Sequence, residues 1–263
     1  MTPLIEAMDL VVNFHSRREA KRGGKPNAVD GVSFAVHPDE TLAVVGESGS
    51  GKTTVARCVV GLQAAQRGTI LFEGAPVGRV SRRPAATRRA IQMVFQDPTA
   101  SLNPRMTVRS IIAEVWRTHR SVAPTDRSWD DAIVELLADV GLDASVASRR
   151  APALSGGQCQ RVSIARALAL QPRLLVCDEA VSALDVSVQS QILRLLANLR
   201  ATRKLAILFI THDLGVVRQI ADRVAVMHRG RLVETATANE IFDQPSHPYT
   251  KTLLDAALDL EGA

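Results

Sequence analysis

Thr41-Leu42-Ala43-Val44-Val45-Gly46-Glu47-Ser48-Gly49-Ser50-Gly51-Lys52-Thr53-Thr54 is the stretch whose reading decides the fold. Its first five residues are nearly all apolar, the texture of a parallel strand covered on both faces by helices. The next eight match G-x-x-x-x-G-K-[ST], and helical sequence begins near Lys52. In that setting the glycines let backbone N–H groups converge on phosphate oxygens, and the helix N-terminus adds its positive end. Lys52 then reaches the β and γ phosphates, and Thr53 can bind Mg²⁺. A plain glycine turn between strand and helix is the alternative reading. Average residue usage gives a chance match in a chain of 263 residues odds of about one in a hundred, before strand and helix are counted.

Further short β-branched runs lie at 10–14, 32–36, 69–72, 91–95, 174–177, 205–210 and 224–227. Those at 174–177 and 205–210 repeat the apolar texture of 41–45, so the expected class is α/β. Between 107 and 140 the texture changes. Val108, Ile111, Ile112, Val115 and Trp116 recur at helical spacing, as do Trp129, Ile133, Leu136, Leu137 and Val140. The expected organisation is a core of 1–97 and 171–263 with an all-helical lobe, 98–170, inserted between the turn signals Asp97-Pro98, Asn103-Pro104 and Gln171-Pro172. After Asp185, Val188, Ile192, Leu195, Leu196 and Leu199 form one helix face suited to packing. Residues 15–28 carry five basic side chains and paired glycines, the pattern of a mobile loop between early strands.

Leu174-Leu175-Val176-Cys177-Asp178-Glu179 is an apolar run ending in two carboxylates. At the carboxyl end of a parallel strand these would face the crevice that the phosphate loop lines. Asp178 is then the candidate to hold Mg²⁺, commonly through water, and Glu179 the candidate general base polarising an attacking water. A helix-capping turn is the alternative. Leu154-Ser155-Gly156-Gly157-Gln158 precedes a helical run, so Ser155, Gly156, Gly157 and Gln158 form either an ordinary helix cap or a second anion site.

The order of phosphate loop, Gln96, LSGGQ at 154–158, LLVCDE at 174–179, SALD at 182–185 and His212 in FITHD resembles the nucleotide-binding subunits of ABC (ATP-binding cassette) transporters, over essentially the whole chain. The resemblance implies a P-loop NTPase core, a mixed and mainly parallel sheet with an antiparallel β subdomain, and an inserted α-helical subdomain carrying LSGGQ. It also implies a head-to-tail dimer in which each ATP lies between the phosphate loop of one subunit and the LSGGQ of the other. On this chain Gly46, Ser48, Gly49, Ser50, Gly51, Lys52, Thr53 and Thr54 would hold one ATP, while Ser155, Gly156, Gly157 and Gln158 would close on the γ-phosphate of the next. Gln96, with Thr53 and Asp178, would contact Mg²⁺ and also the attacking water. His212 would bind the γ-phosphate and orient that water beside Glu179. Asp185 would cross the dimer interface, and Phe14 would stack on the adenine.

Residues 91–98, 101–105, 183–189 and the tail His247-Pro248-Tyr249-Thr250 resemble the ATPase subunits of peptide and nickel importers. The implied partners are a second ATPase, either a related subunit in a heterodimer or another copy of this chain, two transmembrane permease subunits and, indirectly, a solute-binding protein. The implied activity is ATP hydrolysis driving uptake, with peptide the leading substrate and nickel or another metal chelate the next. Ala180 stands where this family usually has proline, and Cys159 where arginine is commoner. Many peptide-type members carry a cysteine-rich tail holding an iron–sulfur cluster; no cysteine follows Cys177 here, so no cluster is expected.

Composition bounds the rest. With 3% aromatics and 22% charged residues the chain lacks the stacking platforms of a sequence-reading single-strand binder, so no nucleic-acid partner is expected. The net charge of +5 fits a nucleotide, a headgroup layer or another subunit alike. Cys58, Cys159 and Cys177 are too scattered for a disulfide framework or zinc site. No apolar run approaches the roughly 18 residues a membrane span needs, and the start has no basic stretch leading into an apolar one. The chain is therefore expected in the cytoplasm unless a partner holds it at a membrane, and the permease partners that the resemblance implies would place it at the cytoplasmic face. Two rivals stay open at this level: an ABC ATPase of a soluble complex, and a module that grips ATP without hydrolysing it.

Overall fold

A computed structural model of the chain describes residues 2–14 and 27–261. The basic stretch read as a loop lies outside the described residues except for its last two positions. The chain divides into two compact units, one formed by residues up to Arg88 with those from Ala206 onward, the other by Arg89–Leu205.

In the first unit, β1 (Ile5–Val12) pairs antiparallel with β2 (Val29–Val36) and β4 (Arg67–Phe72), and β5 (Ala75–Pro76) closes the edge, in the order β2-β1-β4-β5. Strand β1 starts earlier than the expected 10–14. Its buried residues run Ile5, Ala7, then Leu10, Val12, and the phase shift between them is a bulge at which Asp9 takes φ 51°. An extra residue inserted into a strand breaks the period-2 pattern that a sequence reading relies on. Strand β3 (Thr41–Val45) lies between β8 (Ala206–Thr211) and β9 (Arg223–His228), parallel to both. Every residue of β3 and β8 is buried.

Strand β10 (Arg231–Thr237) pairs antiparallel with β9 through the two-residue turn Arg229-Gly230, φ 47° and 84°. Two consecutive positive φ values make the turn whose twist suits a tight hairpin. The strand went unexpected because its residues are at most half-buried, so RLVETAT shows no clean apolar face. Helix α1 (Lys52–Val60) follows β3, and α7 (Leu214–Ile220), α8 (Ala238–Asp243) and α9 (Pro248–Glu261) close the unit. Leu214, Val217 and Ile241 bury against Ala43, Val45, Val224 and Val226, with Tyr249 and Leu253 packed on the same cluster.

Arg83 is buried in this unit. Its Nε donates to Gly78 O at 2.8 Å, and a terminal nitrogen donates to Val59 O at 2.8 Å and Cys58 O at 3.5 Å, closing the C-terminal turn of α1. A cation at the negative end of a helix dipole is favourable. Burial pulls its pKa down to about 10, which still leaves it charged at neutral pH.

The second unit holds the parallel pair β6 (Ile91–Val94) and β7 (Leu174–Asp178) and the helices α2 (Pro98–Ser101), α3 (Val108–Thr118), α4 (Trp129–Asp139), α5 (Gly156–Leu168) and α6 (Val186–Arg203). Thr107 and Ser128 cap α3 and α4, accepting from Ser110 N and Asp131 N. The expected helical stripes are buried here: Val108, Ile111, Ile112 and Trp116 in α3, Ile133, Leu136 and Leu137 in α4. Trp116 Nε1 donates to Ala169 O at 3.0 Å, and its ring meets Trp129 edge-on at 5.6 Å. Residues 98–170 lie within this unit, which also takes in both strands and α6. Among the described residues no helix is long and apolar enough to cross a membrane.

Candidate functional site: polar groups at strand ends in each unit

The loop Gly46–Gly51 leaves β3 and enters α1. Gly46, Gly49 and Gly51 take φ 149°, 80° and 109°. A Cβ at Gly46 would lie 2.0 Å from Met227 O and one at Gly51 2.2 Å from Ala28 O, so neither position admits a side chain. At Gly49 a Cβ would meet nothing within 4 Å; there the left-handed backbone alone selects glycine, and the space it faces is open.

Helix α1 has Gly51 at its N-cap, no capping side chain and no acidic residue in its first turn. By contrast α3, α4, α5, α7 and α8 are capped by Thr107, Ser128, Ser155, Asp213 and Thr237. An uncapped helix start rimmed by glycines is a cradle for an anion. Lys52 is 4% exposed, and its Nζ donates to Gly46 O at 2.7 Å and Glu47 O at 2.8 Å, tying the loop across its mouth. Ser50 Oγ is buried with no hydrogen-bond partner among the described residues. Ser48 and Gly49 are exposed on the rim, with Thr53 and Thr54 half-buried below. An orphaned buried hydroxyl, a buried ammonium and an uncapped helix start fit a polyphosphate.

The loop is braced from behind. Gly230 N, in the β9–β10 turn, donates to Ser50 O at 2.9 Å, and Tyr249 Oη accepts from Glu47 N at 3.3 Å. Val45 pairs with Thr211 in parallel register, so Gly46 and His212 leave neighbouring strands at the same end. His212 is exposed there, between buried Thr211 and the Asp213 cap of α7. Phe14 follows β1 and is 66% exposed, an aromatic face open to a ligand.

The second unit has polar groups of its own at strand ends. Val94 pairs with Cys177, so Gln96 and Glu179 stand two residues beyond a parallel pair, at one end of it. Gln96 is exposed; Asp178, the last residue of β7, is 6% exposed. Glu179 takes φ 48°, a left-handed conformation costing about 1–2 kcal/mol for a residue with a Cβ. Its carbonyl accepts from Ser182 N at 3.2 Å and Ser182 Oγ at 3.0 Å, which holds the turn. Neither acid caps a helix: α6 begins after Asp185, which is itself the N-cap residue without a side-chain cap bond. Strain of this kind persists where the surroundings enforce it and clusters at working sites. Within the second unit, Asp178 and Gln96 offer carboxylate and amide oxygens, hard donors of the kind that suits Mg²⁺, and in the first unit the Thr53 hydroxyl is a donor of the same kind.

Ser155 and Gln158 form a capping box at the start of α5: Ser155 Oγ accepts from Gln158 N at 3.2 Å, and Ser155 N donates to Gln158 Oε1 at 3.0 Å. As an acceptor there, Ser155 keeps its own O–H to donate. Gly157 has a packing role, since a Cβ would lie 2.6 Å from Val188 Cγ1 in α6. At Gly156 the corresponding contact, to Leu184 Cδ2, is an ordinary 3.4 Å. The three cysteines are buried and held as thiols: burial pushes Cys58 to about 11, burial and the Asp178 charge push Cys177 to about 12, and Cys159 is raised by burial and by Asp97. Ala180 is buried and Cys159 Sγ sits 3.6 Å from Ala151 O, so the two unusual residues fill interior space.

Arg83, the Arg229-Gly230 turn and Tyr249 were not picked out as supports of the loop. A usable signal existed only for the last, which is the single tyrosine of the chain.

The ABC transporter family model matches residues 29–182, and the oligopeptide/dipeptide transporter C-terminal region matches 233–263. The oligopeptide transport ATP-binding protein AppF of Bacillus subtilis is 48% identical over 238 residues, covering 90% of this chain and 72% of that protein. OppF of Salmonella typhimurium, also an oligopeptide transport ATP-binding protein, is 46% identical over 259 residues, covering 96% and 77%. CbiO1 from Clostridium perfringens, part of the ABC transporter complex cbiONQ, superposes with TM-score 0.76 at 25% identity over all of both chains. The ATP-binding cassette MJ0796, solved as a dimer with ADP and Pi, shares the fold with TM-score 0.75 at 24% identity, over 89% of this chain and 98% of that one. A phosphate loop, a strained carboxylate turn and a capped LSGGQ helix, matched by a family model over more than half the chain, place it in one group: the chain belongs to the ABC transporter family, as an ATP-binding subunit with the C-terminal region of oligopeptide/dipeptide transporters.

Proposed function

We propose that this chain is the ATPase of a peptide importer, one of two paired cassettes that bind permease subunits at the cytoplasmic face of the membrane. The observation that carries the chemistry is the uncapped start of α1 behind its three positive-φ glycines, with Lys52 buried across the mouth. The C-terminal region and the oligopeptide transport proteins among the relatives support the substrate class.

In this reading the amides of 49–54 and the Lys52 ammonium hold the β and γ phosphates, and Phe14 stacks on the base. Stacking without base-edge hydrogen bonds leaves discrimination between ATP and GTP modest. Mg²⁺, when bound, neutralises charge on the phosphate oxygens. Thr53, Asp178 and Gln96 would hold it, directly or through water. Glu179 accepts a proton from the attacking water, and His212 orients that water and the γ-phosphate. Ser155 and the first amides of α5 close on the nucleotide of the paired cassette, and Asp185 crosses that interface with a side chain uncommitted to its own helix cap. Residues 98–170 form the lobe that passes closure to the permeases through the Gln96 junction.

Glu179→Gln tests the reading. In the assembled transporter it should bind ATP as the wild type does, while phosphate release falls by about 100-fold or more, the usual weight of a general base. Wild-type turnover by that variant would remove Glu179 from the mechanism.

A further inference from the structure

Tyr249 lies in the C-terminal region, yet it touches the phosphate loop, 202 positions away in sequence. Its hydroxyl oxygen accepts from Glu47 N at 3.3 Å, and its ring lies against that of His228 with centroids 3.8 Å apart. The N–H of Glu47 and the C=O of Gly46 belong to one planar peptide unit. Lys52 Nζ donates to that C=O at 2.7 Å. The first peptide of the loop is therefore tied at both ends, by the ammonium on one side and by the phenol on the other. It cannot rotate without breaking one of the two bonds, and its orientation fixes where the Lys52 ammonium sits.

Tyr249 is itself held in place. Tyr249 N donates to His247 Nδ1 at 3.1 Å, and the amides of Ser246 and His247 donate to the Glu234 carboxylate at 2.7 and 3.0 Å, so the start of α9 is anchored to β10. The ring packs on the cluster that contains Val45, the residue from which the loop departs. Burial and the neighbouring Glu47 carboxylate push the phenol's pKa up, so it stays neutral and hydrogen-bonding across the physiological range.

We propose that Tyr249 is a positioning residue for the phosphate loop, through which the C-terminal region sets the affinity for ATP. The proposal rests on the reading of that loop as the ATP site. It acts on binding rather than on the chemical step, because Tyr249 touches the loop's backbone and none of the groups assigned to water or γ-phosphate.

Tyr249→Phe removes the acceptor and keeps the ring; Tyr249→Ala removes both. With a fluorescent ATP analogue and Mg²⁺ on the full chain, Tyr249→Phe should weaken binding about threefold to fivefold, the worth of one hydrogen bond, and Tyr249→Ala about tenfold or more. In the assembled transporter KM for ATP should rise by similar factors with kcat within about twofold. Lys251→Ala, an exposed change on the same helix, should leave Kd unaltered. A merely structural tyrosine would lower the melting temperature and leave Kd untouched. Tyr249→Phe binding as tightly as wild type overturns the proposal, as does a loss confined to kcat. A wild-type chain that fails to bind the analogue refutes the ATP reading instead.

Discussion

Gly157→Ala separates packing from phosphate contact at the LSGGQ turn. The new Cβ would lie 2.6 Å from Val188 Cγ1, whereas ordinary carbon contacts are about 3.5–4.0 Å. Helices α5 and α6 must therefore part by about 1 Å or the valine must move, and a β-branched side chain in a helix has essentially one χ1 rotamer. Overpacking of this order costs about 1–3 kcal/mol. Alanine returns about 0.5–1 kcal/mol, because it loses less backbone entropy than glycine in a helix. At mid-range the net loss is about 1 kcal/mol, a fall in melting temperature of about 2–4 °C for a chain of this size. Val188 is half-buried, so Val188→Ala alone should cost less than about 1 kcal/mol. Combined with Gly157→Ala it should restore stability, with a coupling of about 1 kcal/mol in a double-mutant cycle. Thermal and urea unfolding of the four proteins measures this. Additivity within about 0.3 kcal/mol would refute the packing argument. An unaltered melting temperature with lost ATP turnover would assign Gly157 to the nucleotide instead.

Arg83→Met should remove two short charge-assisted bonds and leave the buried Val59 carbonyl without its donor; the expected loss is about 2–4 kcal/mol, read as a fall in melting temperature of about 5–15 °C, and a variant that melts within a degree of wild type would discard this role. Acid sensitivity follows from Glu234. Burial opposes its ionisation, but Thr250 and the Ser246 and His247 amides hold its pKa below the usual 4.5. A carboxylate with a depressed folded pKa stabilises above its unfolded value and loses that contribution as pH falls through the folded one. The start of α9 should therefore stay protected from amide exchange at pH 6–8 and loosen below about pH 4.5. In Glu234→Gln, Ser246 and His247 should exchange faster at pH 7; equal rates would show that the carboxylate does not hold the segment.

The carboxylate turn and the signature helix show different degrees of legibility. At Asp178-Glu179 the residue types indicated acid–base and metal chemistry, but not the left-handed backbone at Glu179, because only the surrounding fold can hold a glutamate at φ 48°. At Ser155–Gln158 the pattern allowed a cap or an anion site, and the structure forms the cap while leaving the serine proton to donate. Strand β1 lost its first half to a bulge that shifts the apolar phase, and β10 lacks a fully buried face for the eye to follow.

Sequence by itself determined the phosphate loop, the apolar strands 41–45, 174–177 and 205–210, and the helical stripes of α3 and α4, because each depends on residues within a few positions of one another. A glycine's backbone freedom, a helix's 3.6-residue repeat and a strand's run of apolar side chains are local properties. Tertiary structure alone decided what stands behind that loop: Met227 O against Gly46, Gly230 N on Ser50 O, Tyr249 on Glu47, and Arg83 under the far end of α1. Those contacts join residues far apart in the chain, and their partners are mostly backbone atoms, which every residue carries and no sequence pattern marks.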